Sequence, residues 1–336
     1  MTSTRWPHQG GAALLTAMVT VTLVAALSAT ALWQQWRGIE IETAERKRQQ
    51  SGWILWGALD WARIILRKDI SARPVDHLGE PWAVPLQEAR LSSFLSTSGS
   101  TVDDPALELF LSGAIVDLQG RLNVRNLVNG DSIDPVTEKM FARLFASLQL
   151  PPQELVTLRN NLRLALRPAP SKTADGANSP DNTSEENGAL AALLPRTVPQ
   201  LVWLGLSPDS VTRLTPYIAL LPERTPLNLN TAPEQVLLAA VEGLSLADAK
   251  AMVKTRAQAH FETLEDANSR MPPHGVPLSE SLYSVNSRYF EIRAHARQEG
   301  TVMREVAVVQ RQGNLVLPLW RERGTLPSTA APSSLQ

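Results

Sequence analysis

The stretch QGGAALLTAMVTVTLVAALSATALWQQW, Gln9 to Trp36, decides the fold. From Ala12 to Trp33 it runs 22 residues without a charged side chain. As a helix that length reaches about 33 Å, matching the roughly 30 Å of a bilayer's hydrocarbon core. A secretory signal peptide has a shorter apolar region, about 7 to 15 residues, and a small-residue cleavage site beyond it. Ser28-Ala29-Thr30-Ala31 is the sequence that could serve as one. The residues that follow argue for a retained anchor instead. No proline occurs between Pro7 and Pro74, and helix-compatible sequence continues to about Arg67. Ile54, Ala58, Trp61 and Ile65 fall at helical spacing, with Asp60, Arg63 and Arg67 pointing elsewhere. Gly38, Gly52 and Gly57 weaken such a helix locally, by about 1 kcal/mol each. Trp53, Trp56 and Trp61 read as core packing against a globular head. Basic residues lie on both sides of the apolar run, Arg5 before it and Arg37, Arg46, Lys47 and Arg48 after, so charge alone does not orient it.

The whole chain has 336 residues and 43% hydrophobic content, enough to build one large or two smaller cores. Lys plus Arg is 32 against Asp plus Glu 33, so no global field draws it to nucleic acid or acidic lipid. Without cysteine it has neither disulfides nor thiolate chemistry. No HExxH, GxSxG, phosphate loop or GxGxxG occurs, and His8, His77, His260, His274 and His295 are dispersed without ligand spacing. The sequence therefore points to no enzyme and names no catalytic residue.

Beyond Pro74, a Ser/Thr-rich loop covers Ser92 to Thr101. SGAIVDLQGRLNVRNLV, Ser112 to Val128, alternates apolar and polar residues around Gln119-Gly120, predicting a hairpin. Pro135 to Leu166 reads as helices, with Arg159, Arg163 and Arg167 forming a basic stripe most simply read as a solvated face. Residues 168–199 are rich in Pro, Ser, Asn and Asp and predict a flexible linker. In TPLNLNTAPEQVLLAAVEGLSLADAKAMVKTRAQ, from Thr225, Thr231 with Glu234 predicts a capping box opening a helix. Gly243 ends that helix and Ser245 caps a second, from Leu246 to about Ala257. Three runs near Arg288–Arg297, Thr301–Arg311 and Asn314–Arg321, separated by Gly300 and Gly313, predict an antiparallel meander, and 324–336 a disordered tail.

A short basic leader ending in glycine, an apolar segment opening Ala-Ala-Leu-Leu and an unbroken helix resemble the N-terminus of the type IV pilin-like proteins. The resemblance implies an α+β fold in which a long N-terminal helix packs on an antiparallel sheet, here with a large, mainly helical insertion. It places a prepilin leader at 1–11, the transmembrane half of the helix at 12–33 and its periplasmic half at 34–70. The head would then comprise 71–134 and 271–323, with the insertion at 135–270. It also implies cleavage by prepilin peptidase between Gly11 and Ala12, with Gly10/Gly11 as the one-residue alternative, leaving Ala12 as an N-methylated terminus. Most members carry glutamate at the fifth mature position; this chain has Thr16. That departure, with the NLNTA-plus-helix-pair outline after Leu201–Pro222, resembles the K-type minor pseudopilins of type II secretion. The partners implied are I- and J-type minor pseudopilins, with the H-type and the major pseudopilin, the inner membrane and a secreted cargo as further contacts. The role implied is a tip subunit that nucleates or caps the pseudopilus and supports export across the outer membrane, N-terminus cytoplasmic and bulk periplasmic.

Two rival readings share these residues. The helix pair resembles a helix-hairpin-helix module, which would make the chain a membrane-anchored DNA-uptake receptor. The turn, however, reads Gly243-Leu244-Ser245 rather than Gly-x-Gly, with Glu242 beside it, which disfavours phosphate and makes nucleic acid an unfavoured partner. A minor tip pilin of a type IV pilus would share the fold and differ in partners. Calcium is the one cofactor the K-type resemblance suggests. Its candidate ligands are Asp131, Asp134, Asp181, Glu185 and Glu186, although no loop here alternates oxygen ligands at regular spacing.

Overall fold

A single helix, α1, occupies Gly10–Ile70. The computed structural model describes residues 10–70, 75–93, 109–167, 193–272, 276–298 and 301–327. The chain divides into two units, Met1–Trp56 and Gly57–Gln336. In the first, the large apolar side chains from Leu14 to Trp33 are all 56–68% exposed, so nothing among the described residues covers them. The hydroxyls of Thr20, Thr22 and Thr30 donate to Ala17 O, Met18 O and Ala26 O at 2.9, 3.0 and 2.8 Å. These three hydroxyls are therefore satisfied inside the helix, which is what an apolar medium requires. Trp53 and Trp56 stack edge-on at 5.6 Å.

In the second unit α1 buries Leu59, Ala62 and Leu66 against Trp82 and against the sheet residues Phe290, Ile292, Ala307, Val309 and Val316. The tryptophans are not part of that core: Trp53, Trp56 and Trp61 are 70, 39 and 42% exposed. At 100° per residue Trp61 points nearly opposite Leu59, and the smaller face is the one that fits against the sheet. Arg63 reinforces the contact by donating Nε and Nη2 to Val316 O at 3.0 and 2.8 Å.

After α1 the chain lays down β1 (Leu86–Arg90) and β2 (Leu109–Asp117). It then makes a long excursion through the two-residue strands β3 (Leu122–Asn123), β4 (Val128–Asn129), β5 (Ser132–Ile133), β6 (Ile218–Ala219), β7 (Leu227–Asn228) and β8 (Tyr283–Ser284). It returns in β9 (Tyr289–Gln298), β10 (Thr301–Gln312) and β11 (Leu315–Pro327). The main sheet has the order β1-β2-β9-β10-β11 and is antiparallel throughout. The meander forms as expected, except that β11 continues to Pro327, paired with Thr301, into the segment expected to be a disordered tail. Residues 328–336 lie outside the described residues.

The hairpin expected over Ser112–Val128 does not form. β2 pairs instead with β1 and with β9, Asp117 opposite Phe290, while β3 pairs in parallel with β6. Gly120 is not a hairpin turn; its backbone is pressed against Thr231, where an added Cβ would stand 2.7 Å from the hydroxyl oxygen. Close approach, not turn geometry, requires glycine there.

Between β2 and β9 lie the helices α2 (Pro135–Ser147), α3 (Pro152–Ala165), α4 (Pro208–Leu214), α5 (Glu234–Ala240), α6 (Leu246–Gln258) and α7 (Leu264–Ser269). They share one apolar core, running in sequence from Leu122 to Tyr283, to which α2 contributes Met140, Phe141, Leu144 and Phe145. That core is wider than the expected 135–270 insertion. The expected linker also closes earlier, since a 3₁₀ turn spans Val198–Leu204 behind a Thr197/Gln200 capping box. A smaller cluster of Leu118, Ala219, Leu221, Tyr289 and Val308 joins the helical part to the second face of the sheet.

Candidate functional site

The anchor is defined by side chains that the chain leaves uncovered and by the lack of charge among them. Thr16 donates its hydroxyl to Ala12 O at 3.1 Å and Ala13 O at 2.9 Å. Its polar atom is turned back into its own helix and carries no charge outward. By length and composition α1 is able to cross a membrane once. The exposure of Gly10 and Gly11 lies outside what is described.

The NLNTA motif, Asn228 to Ala232, is the joint between the sheet and the helical part. Asn228 is fully buried, and its amide nitrogen donates to Asp117 Oδ2 at 3.0 Å, Ser287 Oγ at 3.0 Å and Asp76 O at 3.2 Å. The Asp117 carboxylate also accepts the Ser287 hydroxyl at 2.7 Å, the Thr231 hydroxyl at 2.6 Å and Gln119 N at 2.7 Å. No ion pair reaches it among the described residues, and burial pushes its pKa up to about 6 despite these donors. Asn230 closes the other side, with its amide donating to Phe261 O and its oxygen accepting Phe261 N, both at 2.9 Å. The two asparagines thus fasten opposite ends of the helix pair.

This arrangement overturns the Thr231/Glu234 capping box. The N-cap of α5 is Pro233 with no side-chain bond, and the Glu234 carboxylate accepts the neighbouring Gln235 amide at 3.1 Å. A threonine hydroxyl facing a buried carboxylate finds a charged acceptor there, a stronger partner than a helix N–H. The Gly243–Ser245 turn does form: Gly243 has φ +85° and Ser245 caps α6. The cap is reciprocal, with Asp248 Oδ2 accepting Ser245 N at 2.9 Å and Ser245 Oγ at 2.6 Å. A carboxylate of the chain itself therefore stands at the N-terminus of α6, where a DNA-binding hairpin would receive a phosphate. At the end of α5, Arg143 donates Nε to Ala239 O at 2.7 Å and Nη2 to Ala240 O at 3.1 Å, and the Tyr283 hydroxyl reaches Ala240 O at 2.9 Å.

The calcium candidates within the described residues belong to arginines. Arg167 Nε and Nη2 bridge both oxygens of Asp131 at 2.8 and 3.0 Å, and this pairing holds that exposed carboxyl below its usual pKa. Asp134 caps α2 through Val136 N and Thr137 N at 3.1 and 2.9 Å and accepts Arg224 Nη2 at 2.6 Å. Burial would raise its pKa, but these donors bring it below normal. Each carboxylate is thus paired with an arginine. Asp181, Glu185 and Glu186 lie outside the described residues. Arg159 pairs with Glu138, so two members of the basic stripe are held by acids of the same chain.

A different acidic group does assemble. Asp69, Asp76 and Glu80 bring one carboxylate oxygen each within 4.8 Å of one another. Arg311 sits among them, its Nη2 2.6 and 2.5 Å from the two Asp76 oxygens and its Nη1 3.3 Å from Asp69. Glu80 accepts Trp82 Nε1 at 2.7 Å and His77 N at 3.0 Å, and burial raises its pKa. With a guanidinium already in place, this reads as a clamp tying the end of α1 to β10, adjoining the Asp117 joint through Ser287 N on Asp76 at 2.7 Å. Asp76, Asp117, Ser287 and Arg311 carry no local sequence signature and were not expected.

Comparison with known proteins gives a consistent likeness. Two family models, both described as "Type II secretion system (T2SS), protein K", match residues 120–223 and 227–286. The chain is 29% identical over 303 residues to a Pseudomonas aeruginosa protein named "Type II secretion system protein K", covering 84% of this chain and 83% of that one. A Pectobacterium carotovorum protein of the same name is 24% identical over 337 residues, with 94 and 97% covered. Among solved structures, a chain of the GspK–GspI–GspJ complex from the type 2 secretion system of enterotoxigenic Escherichia coli shares the fold at a TM-score of 0.61 and 17% identity, covering 84% of this chain and 98% of that one. The exposed apolar helix, the antiparallel sheet and the two matched segments across the helical part agree in one likeness: this chain resembles the protein K family of the type II secretion system.

Proposed function

We propose that the chain is a minor pseudopilin placed at the tip of the pseudopilus, where it nucleates or caps the filament beside I- and J-type partners. Ala12 to about Trp33 lies in the inner membrane, N-terminus cytoplasmic, and the part from the sheet onward lies in the periplasm. Prepilin peptidase cuts between Gly11 and Ala12, so the apolar helix is kept. The observation that carries the reading is Thr16, whose hydroxyl is bonded to Ala12 O and Ala13 O. A helix without a carboxylate at this position offers no charge partner to the terminal amine of a neighbouring subunit. Such a subunit fits an end of the filament better than its body. The GspK neighbour was solved together with GspI and GspJ, which supports carrying that pair over as partners here.

Labelling this chain with antibody on isolated pseudopili tests the placement. One label at a single end of each filament is expected, and mild excess of the chain should shorten filaments. Labels spaced along the shaft would overturn the proposal.

A further inference from the structure

Away from the joint and the membrane helix, the second face of the sheet and the segment Arg196–Pro199 enclose a groove of about 340 Å³. Its charge is lopsided. Arg121, Arg196, Arg293 and Arg304 line it against Glu291 and Glu322, an excess of two positive charges. The β9–β10 register explains how they converge: Arg304 is opposite His295 and Val306 is opposite Arg293, so these side chains stand on one face in two adjacent rows. Arg293 is held by Glu291 at 2.5 Å, and Arg121 reaches only Thr215 O at 3.4 Å. Arg196 and Arg304 have no side-chain hydrogen bond or ion pair among the described residues.

His295 gives a second, independent indication. It lines the groove, is only 7% exposed, and its Nδ1 is buried without a hydrogen-bond partner among the described residues. A buried polar nitrogen left unpaired costs free energy unless something arrives to satisfy it. Burial, with Arg304 and Arg293 nearby, holds the imidazole below its ordinary pKa, so it is neutral at neutral pH and can turn a donor or an acceptor to an incoming group. The remaining wall is apolar, with Val198, Ile218, Val306 and Trp320.

We propose that this groove is a binding site for a carboxylate carried on an apolar body, Arg196 and Arg304 taking the charge and the Val198–Ile218–Trp320 wall taking the body. A carboxylate on an apolar body suits the site better than inorganic phosphate, because phosphate brings nothing for the Val198–Ile218–Trp320 wall to cover. A planar guanidinium also matches a carboxylate with two parallel hydrogen bonds. The carboxylate has two sources, a free aliphatic acid or an acidic side chain flanked by apolar residues in an extended peptide. The site stands on its own residues and does not depend on where the chain sits in a filament.

The test is calorimetric titration of the full chain in detergent micelles at low salt, with hexanoate, the acetylated amide Leu-Glu-Leu, its Leu-Gln-Leu analogue and inorganic phosphate. Saturable binding of hexanoate or of the Glu peptide is expected, with the Gln peptide at least tenfold weaker. Arg304→Gln and Arg196→Gln should each weaken the carboxylate ligand about tenfold while leaving the melting temperature unchanged, since neither holds another part of the chain. Binding of the peptide alone assigns the peptide source, and binding of hexanoate alone assigns the free acid. Equal affinity for the Glu and Gln peptides, binding of phosphate only, indifference to both substitutions, or no binding to any probe overturns the proposal.

Discussion

Asp117 makes the joint sensitive to acid in a way that can be measured. Its carboxylate is buried and accepts hydrogen bonds but makes no ion pair among the described residues, and its pKa stands at about 6 against 3.8 for the free side chain. The folded state therefore binds this proton more tightly than the unfolded state. Stability from that proton is fully present below the unfolded value of 3.8 and is lost as pH rises through about 6. Between pH 5 and pH 7.5 the loss comes to about 1.4 kcal/mol. Asp117→Asn removes the titration and keeps an oxygen for Asn228, Thr231 and Ser287. It turns an amide toward Gln119 N, at a penalty that does not vary with pH. Other titrating groups act on both proteins alike, so the stability difference between wild type and variant isolates Asp117. Urea unfolding of the full chain in detergent micelles at the two pH values should show wild type gaining about 1.4 kcal/mol on the variant at pH 5. Parallel pH profiles, agreeing to within about 0.4 kcal/mol, would refute the reasoning.

Other expectations follow from the same contacts. Arg143→Ala removes both bonds to the end of α5 and should destabilise the helical part by about 2 kcal/mol in urea, with Lys restoring less than half because one ammonium cannot span two carbonyls; a loss under about 0.5 kcal/mol contradicts the capping role. Intact-mass analysis of the membrane form should give a terminus at Ala12 only when prepilin peptidase is present, and Gly11→Leu should keep the leader attached; a terminus between Thr30 and Trp33 points to ordinary export instead. With Asp248 at the head of α6, duplex DNA should not be retained even at low salt, and retention that weakens steeply as salt rises would revive the DNA-uptake reading.

The parts of the fold legible in the sequence are those set by local pattern. Twenty-two uncharged residues announce α1, and the alternating runs that become β9, β10 and β11 are separated in sequence by Gly300 and Gly313. The Gly243–Ser245 turn was legible because a left-handed backbone and a reciprocal cap are both local requirements. What failed depended on distant partners. Alternation in Ser112–Val128 announces a strand but cannot say that its neighbour is β9, some 170 residues later in sequence. Thr231 has the spacing of a cap, yet its hydroxyl goes to a carboxylate 114 residues away. Asp131 and Asp134 look like loop acids, and Arg167 and Arg224 claim them only once the chain has folded. Buried polar networks are satisfied by whatever the topology brings together, and no periodicity records them.

The register of β2 against β9 has a further consequence. Asp117 and Phe290 are cross-strand neighbours, so the whole excursion departs and comes home at two points about 5 Å apart. It hangs like a pendant from adjacent pegs, and changes in its length put no tension on the strands that hold it. Doubling the length of such a loop costs only about 0.6 kcal/mol in closure entropy. Segments can therefore be gained or dropped inside the pendant over evolution while the supporting strands keep their alignment.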